Sequence, residues 1–309
     1  MKFDKPSLSI DEHITLLKKR GLVIPNKQRC YRYIKNIGYY RLSAYLLPYQ
    51  KDMGHNLKSA TSFDDVLNLY IFDRKLRLLL LDAIERIEIS LRAQVVDGLS
   101  FQYGAHGYVK SDLFYPNYNH SWLIDKITKD IKKSHETFIQ HYLSKYTEPS
   151  IPPFWMVGQV LTFFELSMLL KNLKDESIAQ NISKSLGIKV PVLFSWIQSL
   201  SHVRNICAHH GRLWNRVFGI KPKFPKKIID SWSDLSFEPF ETIALNDKKV
   251  MIAPKASLFN QVIIARHWLN NISITSGWPD RFEALGKEHA INFRLMGFCD
   301  GWRDSNFWD

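Results

Sequence analysis

The sequence predicts an all-α fold, and three features of the chain support that prediction. Apolar residues recur at helical spacing over long stretches, capping residues precede them, and Pro and Gly residues separate them. The chain has 309 residues, of which 45% are hydrophobic and 23% charged, as in ordinary globular proteins. Its apolar runs fall short of the roughly 20 residues that span a bilayer. Residues 1–6 also lack the apolar stretch of a signal peptide.

Three helices are predicted before residue 60. Ser9 and Glu12 have the spacing of a capping box, and Gly21 is expected to end the helix that they begin. Gly38 separates the second helix from an aromatic-rich third one, and polar residues 51–60 indicate a loop. The expected helix bounds are 9–20, 25–35 and 39–49.

A long helix is predicted from Phe63 to about Val96, with Ser62 as its cap. Its apolar stripe comprises Val66, Leu69, Tyr70, Leu76, Leu80, Ala83, Ile84, Ile87, Leu91 and Val95. Two pairs of opposite charge stand four residues apart, Asp73 with Arg77 and Glu88 with Arg92. Glu88 and Arg92 either support a functional site nearby or form an ordinary exposed ion pair.

Two further long helices are predicted after a loop over residues 100–120. The first, residues 122–146, has a lysine-rich face that either contacts phosphates or is simply solvated. Pro149, Pro152 and Pro153 then break the chain, and a strongly apolar, central helix is expected over 155–173. Asp175 is expected to cap a short helix that ends near Gly187.

The C-terminal half is predicted to contain three helices and little regular structure between them. Pro191 suits the first turn of one helix, which Gly211 should close or bend. Residues 250–253 indicate a short strand or an extended turn. Two more helices are expected over 256–272 and 279–290. An aromatic tail after Leu295 should dock on the body or on a second subunit.

The densest group of chemically capable side chains lies in residues 196–216. Asn205 and His209 stand four residues apart and so share one helix face, which the long side chain of Arg204 can reach. His210 lies about 100° from His209 around the helix axis, and its side chain is therefore expected to turn toward the apolar stripe. Histidine moves protons near neutral pH, arginine binds phosphate oxygens, and asparagine orients either group. The pattern fits phosphodiester cleavage in RNA, but an exposed and merely solvated helix face fits it too.

Residues 204–216, Arg-Asn-Ile-Cys-Ala-His-His-Gly-Arg-Leu-Trp-Asn-Arg, resemble the signature of Abi-like abortive-infection proteins of the AbiD/AbiF type. These proteins belong to the HEPN superfamily, whose mark is an arginine, a polar residue and a later histidine. Residues 38–49 and 72–92 also resemble the family. The resemblance implies a HEPN-like helical bundle over residues 61–225, with helical extensions over 1–60 and 226–309.

The same resemblance implies a metal-independent endoribonuclease that acts as an abortive-infection, antiphage or toxin-type effector. Arg204 would hold the scissile phosphate, His209 would move a proton, and Asn205 would orient His209 or the substrate. The products would carry 2′,3′-cyclic phosphate and 5′-hydroxyl ends. RNA contacts are expected from a wider set of residues: His210, Arg212, Arg216, Arg41, Lys129 and Lys133. A homodimer would bring two motifs into one cleft, and related systems are restrained by a protein antitoxin or a small RNA.

Composition narrows the partners and the compartment. Lys and Arg outnumber Asp and Glu by 42 to 30, and the net charge of +12 favours nucleic acid over membrane. Three scattered cysteines argue against a disulfide framework or a cysteine zinc site, and favour the cytoplasm. No metal or other cofactor is expected. Two alternatives stay open, a non-catalytic RNA-binding or adaptor protein and a metal hydrolase using His202, His209 and His210.

Overall fold

The computed structural model describes residue 2 and residues 6–225, 229–273 and 275–308. Within them the chain forms twelve α-helices and one two-stranded antiparallel sheet, so the mostly α-helical prediction is confirmed. The first three helices lie close to their expected bounds, and Ser9 and Glu12 form the predicted capping box. These helices are α1 (Ile10–Lys19), α2 (Lys27–Ile37) and α3 (Tyr39–Leu46).

Helix α4 (Phe63–Tyr103) is the central element of the fold. It starts at a capping box between Ser62 and Asp65, and the predicted apolar stripe is buried except for the half-buried Tyr70. Its predicted end near Val96 was wrong, because buried side chains continue to Leu99 and the helix ends only at Gly104. It packs against α3 and against several helices from the later part of the chain.

Two predicted long helices are each divided in two. The basic segment forms α5 (His120–Lys133) and α6 (Thr137–Lys145), and the apolar segment forms α7 (Phe154–Val160) and α8 (Phe163–Asn172). Thr162 and Glu165 form a capping box that starts α8. Arg92 of α4 donates hydrogen bonds to the carbonyls of Gly158 and Leu161, which the break between α7 and α8 leaves without helical partners.

Helices α9 (Ser177–Ser185) and α10 (Val190–Ala208) follow, with Pro191 in the first turn of α10 as predicted. The Asp175 carboxylate accepts a hydrogen bond from the Ser177 backbone N–H at the start of α9. Helix α10 packs on α4, α8, α9 and α11. Helix α10 is therefore held between four neighbouring helices, the central helix α4 among them.

The C-terminal region adds a hairpin and two helices. Strands β1 (Phe240–Ile243) and β2 (Lys249–Ile252) pair antiparallel; β2 confirms the short strand predicted near 250, whereas β1 was not predicted. Helices α11 (Leu258–Ile272) and α12 (Trp278–Glu288) both pack on α4. The aromatic tail docks on the body, where Phe298, Phe307 and Trp308 are buried.

Candidate functional site

The candidate site begins where helix α10 ends. The helix stops at Ala208, three residues before Gly211, where it was expected to close or bend. His209 caps it, and its backbone N–H bonds to the Asn205 carbonyl oxygen at 2.9 Å. His210 then adopts a left-handed conformation with φ 58°, which turns the chain away from the helix axis. The Gly211 N–H closes this turn on the carbonyl oxygen of Ile206 at 2.8 Å.

The predicted catalytic trio, which we define as Arg204, Asn205 and His209, lies on the exposed side of this helix end. Arg204 is half-buried, whereas Asn205 and His209 are exposed. The Arg204 guanidinium donates to the Asn205 side-chain oxygen at 3.3 Å, so it leans toward the shared face as expected. Within the described residues, the His209 imidazole and the Asn205 amide nitrogen make no hydrogen bond, which leaves both available to a ligand.

The expectation for His210 was wrong. The helix ends before this residue, so its side chain does not follow the helical rotation toward the apolar stripe and is instead exposed. Two adjacent imidazoles, His209 and His210, therefore face solvent at the turn. Left-handed φ values are uncommon for residues with a Cβ, and they often mark functional turns.

A buried carboxylate binds the backbone of the residues that follow the turn. Asp73 of α4 is fully buried and accepts hydrogen bonds from the backbone N–H groups of Leu213 (3.1 Å) and Trp214 (2.8 Å). It also accepts from the Tyr45 hydroxyl at 2.7 Å and from Arg77 at 2.6 Å. Burial raises the pKa of the Asp73 carboxyl, and its four donors oppose that rise. The i,i+4 pair predicted from sequence thus holds the motif in place.

Three of the arginines expected to bind RNA contact backbone carbonyls of the protein. Arg41 donates to the His210 oxygen at 2.7 Å, and Arg212 donates to the Ala44 oxygen at 2.7 Å. Arg216 reaches back to the Arg212 oxygen at 3.4 Å. Arg212 is half-buried, and burial lowers the pKa of its guanidinium. The contacts of Arg41 and Arg212 fasten the turn to α3, and exposed Arg41 still presents positive charge beside it.

The other predicted site residues lie elsewhere. Lys129 and Lys133 are exposed on α5, which packs on α7. Glu88 and Arg92 form an ion pair of 2.7 Å that is mostly buried and not exposed, and Arg92 holds the break between α7 and α8. That pair therefore has a structural contact of its own, away from the turn at His209.

A groove between α8 and α10 adjoins the trio, and the sequence reasoning did not identify it. It has a volume of about 250 Å³ and includes Asn205 in its wall. The sequence feature that could have indicated this groove is a polar stripe at helical spacing on the otherwise apolar helix α10. The stripe is formed by Gln198, Ser201, His202 and Asn205.

The described residues contain no group of three His, Cys, Asp or Glu side chains placed to hold a metal ion. His202, His209 and His210 thus form no such group, although the alternative of a metal hydrolase would need them to. Among the described helices, none combines the length and the apolar character needed to cross a membrane.

Residues 32–215 match the family described as Abi-like protein. The match runs from α2 past the turn, and it includes both Asp73 and the trio. The chain therefore belongs to the Abi-like protein family, in agreement with the resemblance of its motif. Neither the curated proteins nor the solved structures searched contain a significant match to it.

Proposed function

We propose that this protein is a metal-independent endoribonuclease that acts in the cytoplasm as an abortive-infection or toxin-type effector. The main support is the grouping of Arg204, Asn205 and His209 on an exposed helix end whose following turn is anchored by buried Asp73. A rigid support under exposed reactive groups is what preorganised catalysis requires. The net charge of +12 suits an RNA substrate.

The proposed reaction is transesterification within the RNA chain. The 2′-oxygen attacks the phosphorus, the bond to the 5′-oxygen breaks, and the products are a 2′,3′-cyclic phosphate and a 5′-hydroxyl. Arg204 neutralises charge on the phosphate, where a guanidinium can form paired hydrogen bonds. The imidazole of His209 takes the proton from the 2′-hydroxyl or gives one to the leaving 5′-oxygen. Asn205 positions Arg204, which already bonds to its side-chain oxygen.

Two proton transfers are needed at one phosphate, and two imidazoles fill the acid and base roles most easily. One source of the second imidazole is the same motif of a two-fold related copy, which is the arrangement that the family resemblance implies. The exposed His210 is a second source within the chain. We propose the homodimer as the active form. In uninfected cells, a protein antitoxin or a small RNA would inhibit its activity.

Incubation of the purified chain with a mixed RNA pool in excess EDTA tests the proposal. We expect cleavage to persist in the chelator, and sequencing of the RNA ends to find cyclic phosphates and 5′-hydroxyls. Activity that disappears in EDTA and returns with magnesium or manganese would contradict the metal-independent route.

The second candidate is a non-catalytic RNA-binding or adaptor protein. One observation favours it: within the described residues, no side chain bonds to the His209 imidazole to orient it for proton transfer. Binding of the RNA pool without new RNA ends, under conditions with and without divalent ions, would select this candidate.

A further inference from the structure

The groove between α8 and α10 is lined by both polar and apolar side chains. On α10, the side chains of Gln198, Ser201, His202 and Asn205 form a polar edge beside the apolar Phe194 and Ile197. On α8, Phe164 and Met168 form an apolar wall, and Lys171 stands at its end. No acidic residue is among the side chains that line the groove within the described chain.

Three polar side chains of the groove have no protein partner within the described residues. Across the described residues, the side chains of Gln198, His202 and Lys171 form no hydrogen bond or ion pair. Burial lowers the pKa of His202, and the positive charge of Arg216 lowers it further, so both favour the neutral ring. A neutral imidazole and an amide each offer one donor side and one acceptor side.

An unpaired nucleobase matches these features. Its ring would stack on Phe164, which is 57% exposed although it belongs to the apolar wall. Its edge carries donors and acceptors that an amide and a neutral imidazole can read. The volume of about 250 Å³ is below the roughly 300–1,000 Å³ that drug-sized ligands occupy, and so suits a fragment the size of one base.

We infer that the groove binds one unpaired base of the RNA, next to the phosphate that Arg204 holds, and so selects where the strand is engaged. The link is Asn205, which belongs both to the trio and to the groove wall. This inference rests on the proposed function for its orientation relative to the scissile phosphate. Gln198 and His202 would then read the base edge, while Lys171 would contact a neighbouring phosphate.

Binding of uncleavable RNA tests the inference without relying on catalysis. The probes are fluorescein-labelled 2′-O-methyl RNA octamers of A, C or U, measured by fluorescence anisotropy with the full chain. We expect Phe164→Ala to weaken binding of every octamer by roughly 5- to 100-fold, the usual effect of losing a stacking ring. We expect Gln198→Ala to reduce the difference in affinity between the octamers. Phe101→Ala is the matched control, since Phe101 is 93% exposed on α4 and outside the groove.

Two results would overturn the inference. One is binding within about twofold of wild type for both groove variants. The other is equal competition by an RNA duplex of the same length, whose bases are paired. Failure of the proposed function looks different: wild type and Phe101→Ala would bind single strands normally, Phe164→Ala would bind them weakly, and no chain would cleave RNA.

Discussion

At the scale of single residues, the catalytic proposal depends on side chains that carry little of the fold. Asn205 and His209 are exposed, and Arg204 is half-buried. Truncation of Arg204 or His209 should therefore leave no core cavity. The resemblance to a known motif identified all three from the sequence. Their mutual placement was predictable because one helical turn relates Asn205 to His209.

We expect Arg204→Ala and His209→Ala each to reduce RNA cleavage by about 10²-fold or more, because one removes the phosphate contact and the other a proton-transfer group. Initial cleavage rates and circular dichroism spectra of both variants test this. Arg74→Ala and His135→Ala, which alter exposed residues outside the site, serve as matched controls. Wild-type cleavage by folded His209→Ala would refute the assignment.

His210 combines an exposed ring with a left-handed backbone, and glycine is the residue that adopts this conformation without strain. We expect His210→Gly to leave the free energy of unfolding unchanged or to raise it, by up to about 1 kcal/mol. Urea denaturation measures that change. A stabilised variant with lower cleavage would show that the imidazole is kept for function, whereas a marked loss of stability would show that the ring supports the turn.

At the scale of elements, the sequence was most informative where a cap and a long periodic stripe coincide. Ser62 and the apolar stripe identified α4, and Asp73–Arg77 was visible as an i,i+4 pair. The break at Thr162 was missed because its capping box lies inside an almost continuous apolar run. The sequence could not show that Asp73 accepts from Leu213 and Trp214, since residues 140 positions apart meet only after folding.

Helix α11 contains a histidine whose neutral form is part of the packing. His267 is buried; its Nδ1 accepts from Trp232 at 3.2 Å, and its Nε2 lies 2.8 Å from the Leu186 carbonyl oxygen. Burial lowers the pKa of His267 from its ordinary 6.5, with the Leu186 contact opposing. The unfolded chain then binds the proton more readily. The contribution to stability is therefore complete above about pH 6.5 and is lost as the pH falls toward the lowered value.

We accordingly expect the free energy of unfolding to fall between about pH 7.5 and about pH 5.5, by at most about 1.4 kcal/mol for this one group. Urea denaturation followed by tryptophan fluorescence measures it, since Trp196 and Trp232 stack beside His267. We expect the His267→Asn variant to be less stable than wild type at both pH values. Its free energy of unfolding should fall by less between them. An identical fall in that variant would show that His267 is not responsible.

At the scale of the whole molecule, the proposed homodimer rests on the two proton-transfer roles of the proposed reaction. We expect light scattering to give twice the mass of one chain at assay concentration. Mixing wild-type with His209→Ala chains in equal amounts should leave about a quarter of the cleavage of an all-wild-type sample, because only about a quarter of the dimers then carry two His209 imidazoles. A fully active monomer would rule the dimer out and leave His210 as the second imidazole.

The contact between Arg41 and the His210 carbonyl joins residues 169 positions apart. Together with Asp73 and Arg212, it means that the reactive turn has no fixed geometry until both α3–α4 and residues 209–214 are present. A ribosome making this chain is itself built of RNA. The proposed RNA-cleaving centre could therefore assemble only after about two-thirds of the polypeptide had been synthesised, so the ribosome would not meet a complete centre during most of translation.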